Sequence, residues 1–171
     1  MNLNTLKNNK GFTSLEVAIF SIIFLICIAG IMDFQNMQKK FNSISSTATY
    51  ISRVVGHQGG IRTSAPSNYL DSYITSQKLY QDIKYILGKA GIAEEEWKVY
   101  INGYELSPDL YMPVIERGTN ITTQLKFYYN WDFLSQIIPG PIKKEQTKTS
   151  TRNTISTFKL RESNNIDTEI K

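Results

Sequence analysis

Cysteine and histidine are almost missing from this chain of 171 residues. The one cysteine, Cys27, excludes an internal disulfide and a thiolate metal cluster. The one histidine, His57, removes most histidine-based catalytic and metal sites. Proline is scarce as well. Five are present and none falls between Phe12 and His57, so nothing in that stretch forbids a single helix. Charge of one sign is in short supply: the net is +4, too mild, averaged over the chain, to argue for a nucleic-acid partner. No glycine-rich phosphate loop, nucleophile elbow or HExxH pair occurs. The expectation is a protein without enzymatic activity, cofactor or metal. With 41% hydrophobic and 20% charged residues the chain is neither disordered nor multiply membrane-spanning, and its length suits one modest domain.

What is present is concentrated near the start. From Val17 to Met32 every residue is apolar or small except Ser21, and Phe12–Glu16 extends the run to 21 residues with a single acid, Glu16. At about 1.5 Å per residue such a helix spans the roughly 30 Å hydrocarbon core of a bilayer. Lys7 and Lys10 precede it with no acid, which predicts a cytoplasmic N-terminus and an extracytoplasmic remainder. A secretory signal cut after Cys27-Ile28-Ala29, a lipoprotein signal using Cys27 and a plain anchor all fit the apolar run, although Ile26 is large for the lipoprotein pattern. None of them explains Glu16. A carboxylate inside a membrane span costs a few kcal/mol and is by default functional.

Lys10-Gly11-Phe12-Thr13-Ser14-Leu15-Glu16-Val17 resembles the processing site of type IV pilins and pseudopilins. The resemblance implies a prepilin peptidase that cuts between Gly11 and Phe12, N-methylation of Phe12, and a glutamate at the fifth mature position, Glu16. It also implies that the Glu16 carboxylate pairs with the Phe12 amine of its own or a neighbouring subunit and so sets axial register during assembly. A charge pair in an apolar setting costs far less than either ion alone.

Beyond the run, Phe34, Met37, Phe41, Ile44, Ala48, Ile51 and Val55 recur at spacings of three and four, a heptad stripe. Gln35, Lys39, Asn42, Ser46 and Arg53 take the other faces. The pattern predicts one helix over 12–57, roughly 69 Å long, apolar all round in its first half and on one stripe in its second. A coiled-coil dimer would account for the stripe but not for Glu16. Gly56, Gly59 and Gly60 are expected to end the helix, with His57 as a surface or capping residue there.

A second helix is expected over 71–90, lined by Leu79, Ile83, Ile86 and Ala90 and stopped by Gly91. The run Glu94-Glu95-Glu96 reads as a solvated turn rather than a catalytic acid pair. Trp97, Val99 and Ile101 alternate up to Asn102-Gly103, a hairpin signal, with Tyr104-Glu105-Leu106 returning. Residues 121–129 alternate as a half-buried strand, Ile137-Ile138-Pro139-Gly140-Pro141 marks a bend, and a threonine-rich stretch over 147–160 supplies one or two last strands. The fold class is therefore α+β: a long helix, one further helix and a small antiparallel sheet that covers the stripe. In segments, 1–11 is a leader, 12–32 the membrane and assembly helix, 33–57 its amphipathic extension and 58–171 the outer domain.

Thr47–Gly60 looks like the end of the long helix in the tight-adherence (TadE-like) pseudopilins, where a helix and a few strands also follow. That resemblance implies a minor pilin of a tight-adherence or conjugation-type system. Its partners would be the peptidase, other pilin-like subunits and the cytoplasmic membrane. An uncleaved single-pass surface domain is the alternative. A DNA-contacting minor pilin is another: Lys143, Lys144, Lys148, Arg152, Lys159 and Arg161 stand against one acid, Glu145, with Tyr128, Tyr129 and Trp131 nearby to stack on bases. Basic residues among threonines also suit an exposed edge strand, where they deter pairing with another chain.

Overall fold

The computed structural model describes residues 9–66, 72–138 and 146–158. The order is helix α1 (Asn9–Gln58), helix α2 (Ser76–Lys89), a 3-10 turn (Glu94–Glu96), strands β1 (Trp97–Ile101), β2 (Tyr104–Glu105) and β3 (Asn120–Tyr129), the short helix α3 (Leu134–Ile137) and strand β4 (Gln146–Ile155). This is the α+β architecture expected, with the strands in the order β2-β1-β3-β4. Strand β1 pairs antiparallel with β2 and β3, in register Val99 to Leu125. Strand β4 runs antiparallel to β3: Tyr129 Oη donates to Gln146 at one end, and Ser156 N–H to Thr119 C=O at the other.

Two compact units divide the chain. One comprises the described residues up to Lys39 together with those from Tyr129 to Gln146; the other comprises Lys40–Tyr128 and the residues from Thr147 on.

In the second unit the helix and the sheet share one core. Ile44, Ala48, Ile51 and Val55 of α1 are buried, as are Val99, Ile101, Ile121, Leu125 and Phe127 of the sheet. Phe41 meets Phe127 edge to face at 6.3 Å. Helix α1 ends at Gln58, where Gly59 adopts φ +62° and Gly60 N–H reaches back to Val55 C=O at 3.0 Å, a Schellman stop. Gly56 is inside the helix rather than at its stop, and Thr154 of β4 packs into the space its missing Cβ leaves. Gln58 is buried, and its amide both donates to Ile74 C=O and accepts from Ile74 N–H, so it satisfies an isolated backbone pair ahead of α2.

Helix α2 begins at Ser76, not near Asp71. Thr75 Oγ1 accepts from Lys78 N–H as the N-cap, a stronger start signal than any residue before it. Gly91, at φ +72°, closes it while Ile92 N–H bonds to Leu87 C=O. Between β1 and β2, Asn102 and Gly103 both take positive φ, the type I′ pair that a two-residue hairpin demands. The 3-10 turn is more engaged than a solvated turn. Glu94 is paired with Lys84 and accepts from Tyr80 Oη at 2.7 Å, and Glu96 caps Ala93 N–H.

Candidate functional site

The site is built on the first half of α1. The backbone is helical from Asn9, so the Gly11–Phe12 bond lies in the first turn. From Leu15 to Leu25 the apolar side chains point outward all round the helix, and Val17, Phe20, Ile22, Ile23, Phe24 and Leu25 are all exposed. Among the described residues this is one helix long and apolar enough to cross a membrane. Ser21, the polar residue of the run, donates its hydroxyl to Val17 C=O at 2.8 Å, so the helix satisfies it internally, as an apolar solvent requires. Cys27 is exposed on this surface. Glu16 is exposed as well, one carboxylate in an otherwise uncharged helical surface.

At the other end of the run the structure departs from the heptad register. Phe34, expected in the stripe, is 57% exposed, whereas Asp33 is 3% exposed. The Asp33 carboxylate accepts from Phe133 N–H at 3.0 and 3.2 Å and from Leu134 N–H at 2.7 Å. These N–H groups open α3 and would otherwise lack partners. The buried line therefore passes through Ala29, Asp33 and Met37, each four residues apart. A lone aspartate just past an apolar run was the one signal for this, and it carries no hint of a partner about 100 residues away.

Of the basic residues proposed for nucleic acid, Lys148 and Arg152 are described. Lys143, Lys144, Lys159 and Arg161 lie outside the described residues. Arg152 is half-buried and spends its donors on protein: Nε to Thr49 Oγ1 at 3.2 Å, Nη2 to Ser45 Oγ at 2.7 Å, and Nη1 to Thr151 C=O at 3.0 Å. Lys148 Nζ stands 5.7 Å from the Phe41 ring centre. Both lie over α1. His57 is exposed in the last turn of α1, and no group of His, Cys, Asp and Glu among the described residues could hold a metal ion.

Electrostatics elsewhere are those of packing. Partial burial and the hydrogen bond to Asp82 push the Tyr50 hydroxyl up to about 12. Burial and the Glu94 contact do the same to Tyr80. The Lys84 ammonium, aided by Tyr80, holds Glu94 below the usual carboxylate range, and Glu105 opposite Lys98 raises that ammonium.

No family model, curated protein or solved structure matches the chain. The architecture is consistent with a generic pilin-like one: a long helix, apolar at its N-terminal half, that packs its later turns on a small antiparallel sheet.

Proposed function

We propose that this protein is a pilin-like structural subunit, cut by a prepilin peptidase between Gly11 and Phe12 and assembled through its exposed helix into a pilus or pseudopilus. One observation carries the reading: α1 is bare and apolar on every side around Glu16, yet its later turns are buried under the chain's own sheet. A helix used only to tether a domain has no reason to carry an acid in the run. A helix that passes from lipid into a bundle of its own kind can use that acid against a neighbour's new N-terminal amine, where a paired charge becomes tolerable. Membrane insertion and later packing then use the same surface, the first against lipid and the second against other subunits.

The protein acts through assembly rather than catalysis, and it takes no cofactor. The engaged guanidinium of Arg152 favours a scaffold role for the basic strand over contact with DNA. Within this reading, a tight-adherence type of system rests on the sequence resemblance of Thr47–Gly60 to the end of the long helix in those pseudopilins.

The test is the mass and N-terminal sequence of the protein recovered from its native membranes. A chain that begins at Phe12 with an added methyl group is the expected result. A start at Met1 would mean an uncleaved anchor, and a start at Gly30 a secreted domain; either overturns the proposal.

A further inference from the structure

We infer that the turn over 131–138 is a second membrane contact, seated in the outer headgroup–acyl boundary beside the end of the apolar helix. The inference rests on the membrane-spanning reading of α1 and extends it to a segment about a hundred residues further on.

Three observations lead to it. The first is depth. At about 1.5 Å per residue, Asp33 stands about 31 Å along the helix from Phe12, the thickness of a hydrocarbon core. Asp33 is also the residue to which the turn is fixed, through Phe133 N–H and Leu134 N–H. Leu134 then lies over Gly30, with its Cδ1 3.9 Å from where a Cβ would stand. The turn therefore sits against the last apolar turns of α1. It covers only one side of them: Ala29 is buried, while Ile28, Ile31 and Met32 remain exposed.

The second is composition. Trp131, Phe133, Leu134, Ile137 and Ile138 are apolar, and Asp132 is the one charged residue among them. A turn that faces water on a soluble domain has no need of five such residues, whereas tryptophan and aliphatic side chains at headgroup level are the usual interfacial anchors.

The third is exposure. Phe133 is 38% and Ile137 44% exposed although the backbone between them is helical and pinned. Phe133 and Ile137 are thus held outward, next to the exposed flank of α1, while Trp131, Leu134 and Ile138 are half-buried and Leu134 seats the turn against Gly30. Because Asp33 satisfies the N–H groups that open α3, the turn can enter a region poor in water without the cost of unpaired donors. Lipid is the occupant that fits a surface continuous with the membrane helix.

Tryptophan emission reads this directly, since the chain has two tryptophans and Trp97 is 5% exposed in β1. The full chain carrying Trp97→Phe is reconstituted into phosphatidylcholine–phosphatidylglycerol vesicles whose acyl chains are brominated near the headgroup or near the terminus. Loss of Trp131 emission with shallow bromine and weak quenching by aqueous acrylamide are expected. Asp33→Ala should release the turn, shift the emission to the red and restore acrylamide quenching. The same reading taken as the difference between the unaltered chain and Trp131→Phe removes any dependence on how Trp97→Phe folds. Quenching of Trp131 by acrylamide alone overturns the inference, and so does shielding from both quenchers, which would put a neighbouring subunit on the turn. A control with Phe24→Trp in a chain lacking both native tryptophans separates the two levels. Deep quenching at position 24 without shallow quenching at Trp131 defeats the turn but leaves the spanning helix; no lipid quenching at position 24 defeats both.

Discussion

Gly56 leaves no room for a side chain. A Cβ there would stand 2.7 Å from Oγ1 and 2.9 Å from Cγ2 of Thr154, with Thr154 Cβ at 3.4 Å. Rotation of Thr154 cannot clear both branches at once, because two of its three χ1 positions always hold a heavy atom. Alanine in this last turn would by itself stabilise by up to about 1 kcal/mol over glycine, but overpacking costs about 1–3 kcal/mol, so Gly56→Ala should lose about 1 kcal/mol net. Chemical denaturation checks this, and adding Thr154→Ala should reverse the sign, since the helix gain then stands unopposed. A second residue-scale expectation concerns Tyr50 and Tyr80, both raised to about 12 from an ordinary 10.0. A folded-state value above the unfolded one means the contribution is complete below pH 10.0 and lost as pH climbs through about 12. Ultraviolet titration should show two tyrosines ionising near pH 12, and Asp82→Asn should bring Tyr50 back toward 10.0.

At the scale of elements, Arg152 is the tie between β4 and α1. Its fork spans Ser45 and Thr49, one turn apart on the helix, at 2.7 and 3.2 Å. Arg152→Ala should cost about 1–3 kcal/mol in a thermal or denaturant melt, and Lys should recover only part of it, because a single ammonium lacks the planar fork. Much of the element pattern was legible beforehand. Ile121, Thr123, Leu125 and Phe127 alternate as a strand must when one face is buried, and the stripe from Ile44 to Val55 is buried where its period put it. Phe34 broke the pattern because periodicity registers hydrophobicity alone. It cannot know that α3 brings unpaired N–H groups to the helix, and that a carboxylate at Asp33 serves them better than a ring one position on. Arg152 was legible only as one basic residue among six, since its partners lie 103 and 107 positions away. Apolar spacing places the start of α2 too early because it says where a helix faces inward, while Thr75 decides where it begins.

For the whole molecule, Glu16 separates anchoring from assembly. Glu16→Ala removes a carboxylate from an apolar surface, so membrane insertion should be unchanged or improved by a few kcal/mol, while incorporation into filaments should fall steeply. Fractionation of membranes against sheared filaments measures both, and filaments at the level of the unaltered protein would refute the proposed role of Glu16. The apolar run that suggested this was plain in the sequence, and so was a sheet over its continuation; which strand residues close that cover was not, because they lie far along the chain. That arrangement has a consequence for synthesis. Strand β4 closes over Ser45, Thr49 and Gly56 only after some 107 further residues have been made, about 5–20 s of elongation at ordinary rates. Through that interval the helix is already in place and its stripe is open, so the nascent chain is most vulnerable to wrong association while it waits for its last described strand.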